Sequence, residues 1–259
     1  MINDPNQTGP SAAPIAVRSD GRGWQVCRPM RIQPGIAPAA AGSALVSLGA
    51  TQVICAASLE EGVPRWMRDQ QVAGGWLTAE YSLLPYATSP RTPREVSVGR
   101  VGGRTMEIQR MVGRALRAVV DVRLLGPRTL WVDCDVLCAD GGTRTAAVSG
   151  AWVAVALALK RAHSEGRLEE NPVRDSVAAI SVGLLGERLA LDLSYAEDAT
   201  ADADLNVVMT GNGRLVEIQG GAEHAPFASE RLSEILALAR LGIEQWTRLQ
   251  QQAVGEGGP

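Results

Sequence analysis

Two glycine pairs, each followed closely by an arginine and a threonine, have the spacing that most directly suggests chemistry. They lie in Gly102–Thr105 (GGRT) and Gly141–Thr145 (GGTRT), each just ahead of a segment with the apolar period of a helix. The first backbone N–H groups of such a helix have no partner within the helix. Together with the helix dipole and a guanidinium they form an anion site. The two corners therefore predict an enzyme that binds phosphate, although a flexible turn and an ordinary helix start are the plainer alternatives.

Acidic residues cluster near a second candidate site. Asp198 and Asp204 flank the short segment Ala199–Ala203, with Glu197 and Asp202 beside them. A loop of that length can bring two carboxylates together, where they hold a divalent cation against a phosphate while the cation keeps several waters. Alternatively, one carboxyl group stays protonated and acts as a general acid. A solvated acidic turn is the third interpretation, because Asp is common in loops.

Arginines are concentrated in one stretch of an otherwise acidic chain. From Arg91 to Arg117 there are seven arginines against two glutamates, a local charge of +5, whereas the whole chain carries −3. A polyanion responds to the local potential rather than to the total charge, so this stretch suggests an approach path for nucleic acid. A compositional bias towards arginine is the alternative, since Lys160 is the single lysine. Three of the arginines form a helical stripe that could also be a solvated face: Arg110, Arg114 and Arg117.

The apolar periodicity predicts an α+β fold of two similar β-α halves. In the first half we expect a hairpin around Gly49, two further strands and two helices: Ala44–Leu48, Gln52–Ala57, Val72–Leu84, Met106–Val120 (helix), Arg128–Cys138 and Ala146–His163 (helix). In the second half we expect two pairs of strands and a final helix that Ser229 caps and that runs through Trp246: Val177–Leu185, Arg188–Tyr195, Leu205–Met209 and Arg214–Ile218.

The bulk properties exclude several classes of protein. The four cysteines form no CxxC pair and are expected to be reduced core residues, so a structural zinc site is not predicted. No run reaches the roughly 18 uncharged apolar residues of a membrane span, and the first residues lack a signal-peptide pattern. We therefore expect a cytoplasmic protein. Residues 1–17 are expected to be a disordered tail, residues 18–252 the folded domain, and residues 253–259 a polar C-terminal tail.

The chain closely resembles the bacterial ribonuclease PH family from about Arg18 to Gln252. Six motifs carry the resemblance, and GGRTMEIQR followed by DGGTRT is the most specific combination. The motifs are Asp20–Arg22 (DGR), Glu60–Arg65 (EEGVPR), Leu77–Tyr81 (LTAEY), Gly102–Arg110 (GGRTMEIQR), Asp133–Thr145 (DCDVLCADGGTRT) and Asp204–Thr210 (DLNVVMT). Two residues depart from the family pattern, which often has arginine at the position of Tyr86 and commonly has threonine at that of Ala203.

The resemblance implies both a fold and a set of site residues. The fold would be that of two halves like domain 2 of ribosomal protein S5, assembled as a homo-hexameric trimer of dimers. The attacking phosphate would be bound by Arg104 and by Gly142, Thr143 and Arg144. Asp198 and Asp204 would bind Mg²⁺ or act as acid catalysts. Arg91 and Arg94 would contact tRNA and support ring assembly. To these we add two further expected RNA contacts, Arg100 from the same basic loop and Arg110 from the following helix.

The activity implied by the resemblance is phosphorolytic trimming of the 3′ ends of precursor tRNA. Inorganic phosphate would be the co-substrate and nucleoside diphosphates the products. One alternative is a non-catalytic RNA-binding subunit of an exosome-like ring, which retention of both arginines and both aspartates disfavours. The other is a small-molecule kinase, but neither glycine corner has the P-loop pattern with its lysine.

Overall fold

The structure, a computed structural model, describes residues 18–223 and 226–256 and contains one sheet in each half of the chain. The first half comprises β1 (Met30–Pro34), β2 (Gly42–Leu48), β3 (Thr51–Glu61), α1 (Arg65–Asp69), β4 (Trp76–Leu83), α2 (Glu95–Val98), α3 (Gly103–Arg117), a 3-10 turn (Val122–Leu125), β5 (Arg128–Cys138) and α4 (Thr143–Ser164). The second half comprises β6 (Val177–Leu185), β7 (Arg188–Leu191), α5 (Tyr195–Asp198), β8 (Ala203–Thr210), β9 (Leu215–Ala222) and α6 (Arg231–Glu256).

The two sheets have simple orders. The first runs β1-β2-β3-β5-β4, in which only β4 and β5 are parallel neighbours. The second runs β7-β6-β8-β9 and is antiparallel throughout. Residues of β3 alternate between buried and more exposed, as expected of a strand with one face against a core. The predicted α+β class with two β-α halves is confirmed.

Helix α4 lies in the middle of the molecule and joins the two halves into one core. It packs on β2 and β3 of the first sheet and on β6 of the second. Close approach depends on small residues, because a Cβ added at Gly150 would lie 2.4 Å from Cγ2 of Val46. The helix is long and apolar enough to cross a membrane, but 89% of its most apolar window is buried inside the protein. It is therefore a core helix.

The predicted starts of two helices and the predicted end of one strand were wrong. Helices α3 and α4 begin at Gly103 and Thr143, earlier than predicted, so each glycine corner is itself the start of its helix. Strand β7 ends at Leu191 rather than Tyr195, because the chain turns and enters α5 there.

The predicted cap of the final helix also needs correction. Helix α6 begins at Arg231, so Ser229 is not its cap, and the Ser229 hydroxyl bonds to the Glu230 carboxylate instead. The helix continues through Glu256, and Ala253 is buried, so the chain is helical within the predicted C-terminal tail. The predicted N-terminal tail, residues 1–17, lies outside the described residues. All four cysteines are free; Cys138 is only half-buried, and the others are buried as predicted.

Candidate active site

The second glycine corner turns tightly against the segment that follows β7. Gly141 and Gly142 both have left-handed backbone conformations, with φ of +69° and +67°. A Cβ on Gly141 would lie 2.7 Å from the backbone nitrogen of Tyr195, so only glycine fits at this contact. The corner, which opens α4, is thereby placed beside α5, the short helix that ends in Asp198.

A cleft of about 430 Å³ lies where the two halves meet, and it brings the predicted phosphate-binding and acidic residues together. The lining includes every residue predicted for those two roles: Arg104, Gly142, Thr143, Arg144, Asp198 and Asp204. It also includes residues that were not predicted, among them Tyr81, Ser181, Tyr195 and Asn206. The two corners and the acidic loop, which are far apart in sequence, therefore form one site.

Arginine side chains give one side of the cleft a positive potential. Arg144 is half-buried, and its Nη1 donates to Oε1 of Gln219 at 3.0 Å. The Gln219 amide in turn donates to Glu107. Burial lowers the pKa of Arg144, and the like charge of Arg104 lowers it further. Two guanidinium groups that repel each other in a partly desolvated cleft provide a favourable site for an anion.

The remaining polar groups of this corner are fixed by hydrogen bonds. The Tyr81 hydroxyl, on β4, donates to Oγ1 of Thr143 at 2.9 Å. Burial raises the pKa of Tyr81, so its phenol stays protonated and able to donate at neutral pH. The start of α4 is thereby held against the first sheet.

The two acids project from different elements of the second half. Asp198 ends α5, and Asp204 is the second residue of β8. Burial raises the pKa of Asp198, and the Arg144 and Arg104 guanidinium groups oppose that rise. Burial also raises the pKa of Asp204, and the negative charge of Asp198 adds to the effect. Both carboxyls therefore hold a proton more readily than an exposed carboxyl, which suits proton donation or binding of a compensating cation.

Buried ion pairs position both sides of the cleft. The sequence analysis did not predict these pairs. Arg28 donates to both carboxylate oxygens of Asp192, with Nη2–Oδ1 at 2.6 Å and Nε–Oδ2 at 2.9 Å. The same guanidinium donates to the carbonyl oxygens of Asp140 and Leu193, so it ties the glycine corner to the start of the acidic segment.

A second buried pair holds α5. Arg18 Nε donates to Oε1 of Glu197 at 2.7 Å, and Glu197 completes a capping box with Ser194. The partners are up to 179 positions apart, and no local pattern links them. The only sequence signal was the DGR motif, in which Arg22 also reaches Asp192, at 3.3 Å.

The arginines predicted to bind RNA lie outside the cleft lining. Arg91, Arg94, Arg100 and Arg110 are all exposed. The segment that carries Arg91, Arg94 and Arg100 is attached to the cleft rim, because the Thr105 hydroxyl donates to Oε1 of Glu95 at 2.7 Å and both residues line the cleft.

The arginine stripe on α3 is not a uniform solvated face. Arg114 pairs with Glu217, with Nη2–Oε1 at 2.5 Å. Arg117 donates to the carbonyl of Leu77 and stacks on Trp76, its guanidinium carbon 5.4 Å from the ring centroid. These two arginines join elements of the fold, so of the stripe only Arg110 stays a predicted RNA contact.

Comparison with known proteins agrees with this geometry. Residues 26–160 match the 3′ exoribonuclease family, domain 1, and residues 175–241 match domain 2 of the same family. The chain is 51% identical over 241 residues to ribonuclease PH of Bacillus pumilus, covering 93% of this chain and 99% of that protein. It is 52% identical over 240 residues to ribonuclease PH of Moorella thermoacetica, covering 93% and 95%.

Solved structures share the fold. An Archaeoglobus fulgidus exosome with RNA bound to the active site matches with a TM-score of 0.76 at 24% identity, covering 92% of each chain. An archaeal exosome core matches with a TM-score of 0.70 at 23% identity, covering 93% of this chain and 92% of the other.

Fold and sequence together define an enzyme of the 3′ exoribonuclease class. Within that class, the chain belongs to the ribonuclease PH family. This confirms the family predicted from the motifs and the predicted enzyme class, that of the phosphate-dependent exoribonucleases known as tRNA nucleotidyltransferases.

Proposed function

We propose that this enzyme degrades RNA from the 3′ end by phosphorolysis, with inorganic phosphate as the nucleophile. The observation that carries the proposal is the single cleft in which Arg104 and Arg144 face Asp198 and Asp204. Hydrolysis needs only a water near the scissile group. A pair of arginines at two helix starts is instead suited to hold a second anion.

The reaction joins two groups that are both negatively charged. An oxygen of the bound phosphate attacks the phosphorus of the terminal phosphodiester, and the bond from that phosphorus to the 3′ oxygen of the preceding nucleotide breaks. A nucleoside diphosphate leaves, and the RNA is one residue shorter. Arg104 and Arg144 offset the repulsion between the two anions and hold the nucleophile in line. Because a phosphodiester is exchanged for a phosphoanhydride, the reaction is nearly balanced and runs in reverse with nucleoside diphosphates.

The departing 3′ oxygen needs a proton or a positive charge. A carboxyl whose pKa is raised by burial can donate that proton, and both Asp198 and Asp204 meet this condition. The same two oxygen ligands also fit Mg²⁺, which binds proteins through one or two carboxylates and keeps waters and substrate phosphate oxygens in its shell. No group of three or more acidic, histidine or cysteine side chains within 18–223 and 226–256 offers a fuller cage. When bound, Mg²⁺ would neutralise charge on the reacting phosphates.

The relatives and the charge distribution support a proposal for the substrate and the assembly. We propose the 3′ ends of precursor tRNA as substrate, in a cytoplasmic homo-hexameric ring. The similar ribonuclease PH proteins and the similar Archaeoglobus fulgidus exosome with RNA bound to its active site support an RNA substrate. The exposed Arg91, Arg94, Arg100 and Arg110 supply the positive surface by which a polyanion would approach.

The test is an incubation of the protein with a 3′-extended tRNA transcript and Mg²⁺, with and without inorganic phosphate. The proposal expects nucleoside diphosphates, and a shortened transcript, only when phosphate is present. Release of nucleoside monophosphates in phosphate-free buffer would instead show a hydrolase.

A further inference from the structure

The Asn206 side chain is a neutral polar group of the cleft that makes no hydrogen bond to a described residue. Asn206, in the middle of β8, is only 5% exposed and lines the cleft. Its side-chain amide makes no hydrogen bond to any residue of 18–223 or 226–256. The rest of the residue is buried, so the accessible atoms of its amide face the cleft, where a bound ligand can supply the missing partner.

Two neighbouring hydroxyls already accept hydrogen bonds from the protein. The Thr143 hydroxyl accepts from Tyr81, and the Ser181 hydroxyl accepts from the backbone N–H of Leu193 at 3.0 Å. These hydroxyls position the cleft walls. Asn206 differs from these two residues, because its side-chain amide makes no hydrogen bond to a described residue.

The strand register places Asn206 at the arginine side of the cleft. Asp204 and Asn206 are two residues apart on β8, so both side chains point to the same face, with Asn206 about 7 Å further along the strand. On the adjacent strand β9, Asn206 is paired directly with Gln219, whose side chain binds Arg144. Directly opposite residues of antiparallel strands share a face, so Asn206 lies beside the residue that holds the Arg144 guanidinium.

The chemistry of a carboxamide fits this position. A cationic side chain there would pair with Asp204, and an acidic one would repel an incoming anion. A neutral amide donates two hydrogen bonds, and it neither forms an ion pair with Asp204 nor repels an incoming anion.

We propose that the Asn206 amide donates a hydrogen bond to the phosphate anion held by Arg104 and Arg144, which makes it a further substrate-binding residue. This rests on the proposed phosphorolytic function. A hydrogen bond to a charged group is stronger than one between neutral groups, so its loss is expected to weaken phosphate use by about tenfold or more.

The test compares Asn206→Ala, Asn206→Ser and a matched control, Asn212→Ala, which removes the same amide from the exposed turn after β8. For each, kcat and KM are measured separately for inorganic phosphate and for a 3′-extended RNA, together with the thermal midpoint. We expect Asn206→Ala to raise the KM for phosphate about tenfold or more and to leave the KM for RNA within about twofold. Serine, which keeps a donor, should restore part of the loss, and Asn212→Ala should behave as wild type.

Stability supplies an independent readout. Because the Asn206 amide makes no hydrogen bond to a described residue, Asn206→Ala should leave the thermal midpoint nearly unchanged, whereas the loss of a structural hydrogen bond would lower it. If the wild type uses phosphate and Asn206→Ala has an unchanged KM for phosphate, Asn206 is not a binding residue. If the wild type itself shows no phosphate dependence, the phosphorolytic function fails, and this proposal fails with it.

Discussion

The Arg28 guanidinium and the Asp192 carboxylate form a buried bidentate ion pair, 164 positions apart in the chain, that connects the two sides of the candidate active-site cleft. Through its bonds to the Asp140 and Leu193 carbonyls, Arg28 fixes the glycine corner that precedes Arg144. Through Asp192, the same pair fixes the chain that leads to Asp198. The position of the proposed anion-binding groups relative to the acidic groups therefore depends on this contact.

We predict that Asp192→Asn destabilises the protein strongly, by about 3–5 kcal/mol, because it leaves a buried guanidinium without its counter-charge. Urea unfolding measures the change. The matched control is Asp69→Asn, which breaks the exposed Arg65–Asp69 pair and should leave the midpoint almost unchanged. Equal effects of the two substitutions would mean that the buried pair has no special structural role.

The arginines of the two helix starts should dominate phosphate use. Arg104→Ala and Arg144→Ala are each expected to slow turnover by about a hundredfold, the scale for losing one preorganised charge-stabilising donor. Folding should be preserved, because Arg104 is exposed and Arg144 is only half-buried. Kinetics at varied phosphate concentration test this against Arg248→Ala, an exposed arginine of α6. A variant with wild-type kinetics would remove that arginine from the site.

The ionised Asp198 and Asp204 carboxylates should lower the stability of the folded protein at neutral pH, although the activity depends on them. The pKa values of Asp198 and Asp204 are raised in the folded protein, so folding is penalised once pH exceeds the unfolded pKa and these groups begin to ionise. Asp204→Asn should therefore raise the thermal midpoint at neutral pH while lowering activity, and the gain should vanish at acidic pH, where the wild-type carboxyl is protonated. A lower midpoint at neutral pH would contradict this prediction.

The same aspartate variants separate the metal role from the acid role. If the pair binds Mg²⁺, Asp198→Asn and Asp204→Asn should recover part of their activity at high Mg²⁺ concentration. If one residue is the general acid, added Mg²⁺ should not help, and the acidic limb of the pH–rate profile should change. Wild-type rates for both variants at low Mg²⁺ would leave the pair as an acidic turn without a catalytic role.

RNA binding should depend on the exposed basic loop. On single strands, the logarithm of the binding constant falls with the logarithm of salt concentration by about 0.7 for each neutralised phosphate. Replacing both Arg91 and Arg94 with alanine should flatten that slope, whereas the Arg161→Ala and Arg248→Ala double variant, on other surfaces, should not. Fluorescence anisotropy over a salt series measures the slope, and size-exclusion chromatography checks that the oligomer is unchanged. An unaltered slope in the correctly assembled variant would place the RNA path elsewhere.

The sequence predicted those parts of the site that depend on short local patterns of residues. Glycine pairs ahead of helices predicted the corners at Arg104 and Arg144, and the short acidic loop predicted that Asp198 and Asp204 would share a pocket. The boundaries near β7 were wrong because Asp192, which has a positive φ of 57°, ends the strand through tertiary contacts. The Arg28–Asp192 and Arg18–Glu197 pairs could not be predicted, since their partners meet only after both halves have folded.

The central claim is that a phosphate anion held by Arg104 and Arg144 is the nucleophile, and isotope labelling tests it most directly. The enzyme is incubated with unlabelled 3′-extended RNA, Mg²⁺ and inorganic phosphate in which every oxygen is ¹⁸O, and the released nucleotides are analysed by mass spectrometry. Phosphorolysis predicts nucleoside diphosphates whose terminal phosphate, including the bridging oxygen, carries all of the label. Unlabelled nucleoside monophosphates as the released product would contradict the account.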